Sequence, residues 1–139
     1  MKKIFLIFFI VCINVGNLSA SENLKQFILS TILEPTNVPF NVYSDEFHLY
    51  MKSGDITLSL NKEEYKSLID ETASLMGQME INDFRILSRS DTEHFTSVTY
   101  EYNWNAKQGN TNMSGKISNH MLLEKTNNDF KIIFEVSEQ

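Results

Sequence analysis

The chain has 139 residues, 42% of them hydrophobic and 22% charged, with 12 Lys+Arg against 18 Asp+Glu, three His and a single Cys. This balance is too apolar for a disordered tail, too poor in Gly and Pro for a fibrous repeat and too poor in Cys for a disulfide scaffold. A chain of this size buries roughly two thirds of its unfolded surface, enough for one core without metal or disulfide staples.

Residues 1–20, MKKIFLIFFIVCINVGNLSA, place Lys2 and Lys3 before an apolar run from Ile4 to Ile13 and close on Leu18-Ser19-Ala20. A basic start, a short apolar run and a small residue at the cut form the pattern of a secretory signal peptide, predicting cleavage near Ala20 and a periplasmic or secreted product. The run falls short of the ~20 apolar residues that a membrane span requires, so no stable membrane anchor is expected after processing. Cleavage removes Lys2, Lys3 and Cys12 and leaves 10 basic and 18 acidic side chains, a net charge of −8. With no cluster of Lys and Arg to neutralise phosphates, nucleic acid is not an expected partner. A mature chain without Cys has neither a Cys nucleophile nor Cys-ligated zinc.

Residues 21–139 read as a single domain. Leu24, Phe27, Ile28, Thr31 and Ile32 recur at helical spacing, predicting an amphipathic helix from Glu22 to Leu33 with Ser21 as its N-cap and Pro35 as its stop. Glu34 to Phe40, with Pro35 and Pro39, reads as a loop. Phe47, Leu49 and Met51, then Ile56, Leu58 and Leu60, alternate with polar residues about Ser53-Gly54, predicting a hairpin that sets Met51 against Ile56, Leu49 against Leu58 and Phe47 against Leu60. Asn61 and Glu64 have capping-box spacing, and Tyr65, Leu68, Ile69, Thr72 and Met76 continue a helix that Gly77 can end. Four strands follow, about Glu80–Ser88, His94–Asn105, Asn112–Lys125 and Phe130–Ser137, separated by turn-rich segments as in an antiparallel meander.

Pairing the second and third of these strands about Gln108-Gly109 aligns Tyr100 with Ile117, Tyr102 with Gly115, Trp104 with Met113, Val98 with Asn119, Thr96 with Met121 and His94 with Leu123 on one face. The other face then joins Glu101 to Lys116 and Ser97 to His120. A one-residue slip would mix the two faces, so an apolar row together with an opposite-charge pair selects this register. Extension to the last strand puts Ile132, Phe134 and Val136 inside and Ile133 and Glu135 outside, with Glu135 beside His120. The strand that starts near Glu80 puts Phe84 and Ile86 inside and Leu87 outside. The expected fold is therefore α+β, a curved antiparallel sheet with helices packed on its concave face, in the order α-β-β-α-β-β-β-β.

This element order, with the closing strand Asn128-Asp129-Phe130-Lys131-Ile132-Ile133-Phe134, resembles the nuclear-transport-factor-2-like (SnoaL-like, cystatin-like cone) superfamily across residues 21–139. The resemblance implies a cone whose interior is either a ligand or active-site pocket or a filled core. In the isomerases, cyclases and dehydratases of that superfamily, acid/base groups project from the inner face. A further short helix usually follows the first, and Glu34 to Ser44 offers only weak material for it.

The inner polar positions are His94, Thr96, Tyr100, Tyr102 and Asn119. Of these the imidazole of His94 is the residue type suited to acid/base work, which makes His94 with Tyr100 the candidate acid/base pair; the competing reading leaves His94 half exposed at the sheet rim and the tyrosines in the core. Thr96, Tyr100, Tyr102, Trp104, Asn119 and Phe134 are the candidate ligand-pocket residues. No inward carboxylate is expected unless a bulge turns Asp83 inward. His48, His94 and His120 fall on different faces, so no metal site is expected, and neither a serine-nucleophile motif nor a glycine-rich phosphate loop is present to imply a cofactor. On the outer face Leu87, Phe95, Leu122 and Ile133 form an apolar stripe, the expected interface of a homodimer. The leading expectation is an exported, non-catalytic domain that binds a small apolar ligand or a protein partner. The alternatives are an isomerase-, cyclase- or dehydratase-type enzyme and an interaction component of an envelope assembly.

Overall fold

The computed structural model describes residues 22–33, 39–73, 79–127 and 129–139. The signal segment with its cut at Ala20, the Ser21 cap, the Pro35 stop and the Gly77 terminator lie outside these residues. The chain divides into two compact units, residues 1–34 and 35–139.

In the first unit, helix α1 spans residues 22–33 as its apolar periodicity predicts. Leu24, Ile28 and Thr31 form one buried stripe, and the Thr31 hydroxyl donates back to the Ile28 carbonyl at 2.7 Å, which satisfies a buried polar group within its own helix.

The first described element of the second unit is a 3₁₀ turn, Phe40–Val42. It continues with β1 (Tyr43–Ser53), β2 (Ile56–Asn61), α2 (Lys62–Ala73), β3 (Met79–Asp91), β4 (Phe95–Gln108), β5 (Thr111–Lys125) and β6 (Phe130–Glu138). The six strands make one sheet in the order β2-β1-β6-β5-β4-β3. Four of its pairings are antiparallel, as expected, but β1 runs parallel to β6, so the sheet is mixed. The parallel contact joins the first hairpin to the last strand of the meander, a long-range pairing that no local turn announces.

The Asn61/Glu64 capping box forms in full. The Glu64 amide donates to Asn61 Oδ1 at 3.0 Å, and the Asn61 amide donates to Glu64 Oε2 at 2.9 Å. Helix α2 lies against β1 and β2, with the Tyr65 ring 5.4 Å from the rings of both Tyr43 and Phe47 and with Ile69 buried.

Both hairpin registers differ from the expected ones by two residues. Leu49 pairs with Leu60 and Met51 with Leu58, while Tyr100 pairs with Asn119, Tyr102 with Ile117 and Trp104 with Gly115. The turns are Gly54-Asp55 and Gly109-Asn110, in which each glycine takes the left-handed conformation at φ 57° and 58°. A shift of two preserves side-chain parity, so the faces of β1, β2, β4 and β5 stay as expected.

Bulges change parity elsewhere. On β3 the pairing slips once between Asn82 and Arg85, where Asp83 is left-handed at φ 54°, and again at Leu87. On β6, Leu122 pairs with Phe134 but Leu123 pairs with Ile132, leaving Ile133 as an extra residue. One added residue rotates everything after it to the opposite face. Phe134 therefore points to the convex side, where its ring lies 5.5 Å from Tyr50, and Glu135 turns to the concave side.

Candidate functional site: a carboxyl among tyrosines

The concave face carries a buried core of Val98, Tyr100, Ile117, Met121, Leu123 and Ile132, with Phe47 and Leu49 from β1. Into it project Tyr100 and Tyr102 from β4, Asn119 from β5 and Glu135 from β6. Tyr43 comes from the start of β1 and Tyr65 from α2.

Asn119 is the hub. It is almost wholly buried, and its amide nitrogen donates to the Tyr100 hydroxyl and to Glu135 Oε1, each at 2.9 Å. The Tyr100 hydroxyl also reaches Glu135 Oε1 at 3.4 Å, a long contact. Asn119 Oδ1, on the other side of the amide, is buried without a hydrogen-bond partner. A buried amide oxygen left in this state costs on the order of 1–3 kcal/mol, so it is a place where a donor would be taken up.

Glu135 keeps a little surface as a residue, but its carboxyl is closely surrounded by protein. Burial pushes it up to about 7, opposed by the hydrogen bond from Tyr100. No ion pair to Glu135 forms among the described residues; Lys62, Arg85, Arg89, Lys116 and Lys125 pair with Asp45, Asp91 and Glu101 instead. The phenols shift in the same direction, since burial disfavours the ionised form of both groups. Tyr43 is pushed up to about 12 by burial and by the Glu135 charge. Tyr65, Tyr100 and Tyr102 are all raised, burial being the largest cause in each, and remain neutral hydroxyls. The rings are ordered in pairs. Tyr100 and Tyr102 stack with centroids 6.3 Å apart, Tyr43 and Tyr65 meet edge-on at 5.4 Å, and Phe84 lies 5.6 Å from Tyr100.

Chemically, this is a carboxyl that exists in both protonation states near neutral pH, held against one phenol and one amide. Such a group can give a proton to a bound molecule or take one from it.

The candidate residues distribute as follows. Tyr100, Tyr102 and Asn119 gather around Glu135. Trp104 lies farther along the same face, over Gly115, where an added Cβ would come within 2.8 Å of the indole nitrogen. Thr96 is wholly buried but its hydroxyl is taken by Asp91 at 2.7 Å. His94 does not join Tyr100. It sits in the turn between β3 and β4 with 73% of its side chain exposed, next to Glu93 and Phe95, because β4 begins one residue after it. Phe134 leaves the pocket set through the bulge. At the same bulge Ile133 is left without a cross-strand partner on β5, and Phe134 stands beside Leu122, with Leu87 and Phe95 exposed. His120 bonds with Thr99 at 2.9 Å and Ser97 at 3.3 Å on that face, without Glu135. Asp83 does sit in a bulge, but it accepts from Asn103 at 3.0 Å on the convex side.

Strand alternation missed Glu135 because Ile132-Ile133-Phe134 is an apolar run that conceals a change of parity. The available signal was Asn119, an inward amide between Ile117 and Met121 that required a polar partner from a neighbouring strand. Among the described residues no three His, Cys, Asp or Glu side chains gather to hold a metal ion, and no helix is long and apolar enough to cross a membrane.

No family model matches the sequence, and no curated protein matches it. Solved structures do match the fold. A ketosteroid isomerase-like protein from Erwinia carotovora atroseptica superposes with a TM-score of 0.60 at 13% identity, over 88% of this chain and 91% of the other. An NTF2-like protein with a cystatin-like fold from Novosphingobium aromaticivorans gives 0.59 at 10% identity, over 92% and 86%. The beta subunit of the benzoate 1,2-dioxygenase from Burkholderia mallei gives 0.63 at 14% identity, over 84% and 88%.

Proposed function

On this nuclear-transport-factor-2-like, cystatin-like fold, we propose that the chain binds a small organic molecule on the concave face of its sheet, with Glu135 as a proton-exchanging group at the binding site. The reading rests on one observation, the convergence of Tyr100, Asn119 and Glu135 from three adjacent strands around a carboxyl that no cation among the described residues neutralises. A core that only needed filling would be cheaper with apolar side chains, since a buried carboxyl carries a desolvation cost that only a partner or a protonation change relieves. In this role Glu135 transfers the proton, Tyr100 supplies a neutral hydroxyl of fixed position and Asn119 orients both. The fold neighbours include a protein described as ketosteroid isomerase-like and a dioxygenase beta subunit, so the fold is compatible with either catalysis or binding.

The test is carboxyl-carbon and tyrosine-ring NMR on the full chain during titration with a panel of small aromatic and alicyclic compounds. Binders are expected to move the Glu135, Tyr100 and Asn119 signals before any other. Shifts confined to the convex face or to the turns would overturn the assignment.

A further inference from the structure

The polar atoms that Asn119 and Glu135 offer share one character. Asn119 Oδ1 is a buried acceptor without a donor, the Glu135 carboxylate is an acceptor when ionised, and the amide hydrogens of Asn119 are already spent on Tyr100 and Glu135. Around them stand the rings of Tyr43, Tyr65, Tyr100 and Tyr102, all close enough to feel the Glu135 charge. Those four phenols are the titratable groups facing Glu135 from β1, α2 and β4, β5 contributes the neutral Asn119, and no lysine, arginine or histidine among the described residues forms an ion pair with it. A negative charge, an unused acceptor and negative aromatic faces together complement a positive charge that carries hydrogens.

We propose that the ligand class of the concave site is a protonated primary or secondary amine on an apolar ring or chain, its ammonium set against Glu135 and Asn119 Oδ1 and its hydrocarbon against the tyrosines. The proposal rests on the reading that the concave face binds a ligand at all. An anion is disfavoured by the carboxylate, and a neutral alcohol could serve Asn119 Oδ1 but would leave Glu135 uncompensated. Binding an ammonium holds Glu135 ionised, so the ligand displaces the proton that burial otherwise keeps there, and the group's position near 7 makes that exchange visible in an accessible range.

The experiment is isothermal titration calorimetry of the full chain with benzylammonium and cyclohexylammonium, and with benzyl alcohol and benzoate as neutral and anionic counterparts. Each is run at pH 6 and pH 8, in buffers of different ionisation enthalpy. The amines are expected to bind about tenfold more tightly at pH 8 than at pH 6 and to release about 0.9 proton per site at pH 6, almost none at pH 8. Glu135→Gln should weaken amine binding by at least tenfold and abolish the proton release while sparing benzyl alcohol. Proton release from the wild-type chain tests the idea independently of how that variant folds. Benzyl alcohol binding as tightly as the amines, with no proton release, would overturn the ammonium assignment while leaving a concave binding site. If no probe binds and the Glu135 NMR signals stay unmoved, the site itself falls, and the proposal with it.

Discussion

Glu101 and Glu135 stand on opposite faces of the same sheet, both largely covered, and they solve the burial of a carboxyl in opposite ways. Glu101, on the convex side, is gripped by Lys116 at 2.7 Å and by Arg85, and the hydrogen bond from Lys116 holds it below the usual carboxylate range. Glu135, on the concave side, has among the described residues only a phenol and an amide, and burial raises it instead. The first arrangement is a closed account, two cations around one anion at a sheet surface, and it behaves as a cross-strand tie between β3, β4 and β5. The second leaves a charge that must either be protonated or be matched from outside. Covered carboxyls of one type thus separate into a structural group and a functional candidate by their partners alone.

Three experiments would break or sharpen this contrast. The largest effect is expected from Asn119→Asp, which replaces the amide donor to Glu135 by a second carboxyl. Above pH 8, where both groups would have to ionise side by side, the loss of stability should reach about 3–5 kcal/mol, and it should shrink markedly at pH 5, as read by urea unfolding at the two pH values. A loss equal at both pH values would mean that Glu135 is not sensed from position 119.

Next comes the wild-type pH profile. Because the folded pKa of Glu135, about 7, is raised above its unfolded value, the folded state binds more protons between about 4.5 and 7. That contribution is fully present at low pH and is lost as pH rises through 7. The expected decline from pH 5 to pH 8 is roughly 2 kcal/mol, and Glu135→Gln should flatten it and be the more stable form at pH 8. A wild-type profile that rises over this range, with no difference in Glu135→Gln, would place the carboxyl in water. The smallest effect belongs to Glu101→Gln. It should lower the melting temperature only modestly, in a manner that high salt reduces, because the Arg85 and Lys116 side chains are more than half exposed. A salt-independent loss as large as that of Asn119→Asp would reverse the comparison.

Much of the fold was legible residue by residue. The Asn61/Glu64 box, the helix through Tyr65 and Ile69, and the faces of β4 and β5 follow from short-range rules of capping and alternation that act within a few residues. Even with both hairpin registers displaced by two, Tyr100, Tyr102 and Asn119 remained on the inner face, because parity survives an even shift. The Glu101–Lys116 pair also survived, since long side chains reach diagonally across strands. What failed were the places where one residue is added. The Ile133 bulge exchanged Phe134 for Glu135, and the later start of β4 put His94 into a turn, so His94 does not face Tyr100 and Glu135 stands beside Tyr100 and Asn119 instead.

The sequence by itself determined the order and class of the helices and strands among the described residues and which side chains of β1, β2, β4 and β5 share a face, because alternation and capping are local consequences of backbone geometry. Only the tertiary structure decided that β1 would pair in parallel with β6, that β6 would bulge between those neighbours, and that a glutamate would consequently be withdrawn from water among tyrosines. Side-chain parity along a strand is set by every residue that precedes it. Whether one residue is accommodated as a bulge depends on the packing of both flanking strands, which no local pattern contains.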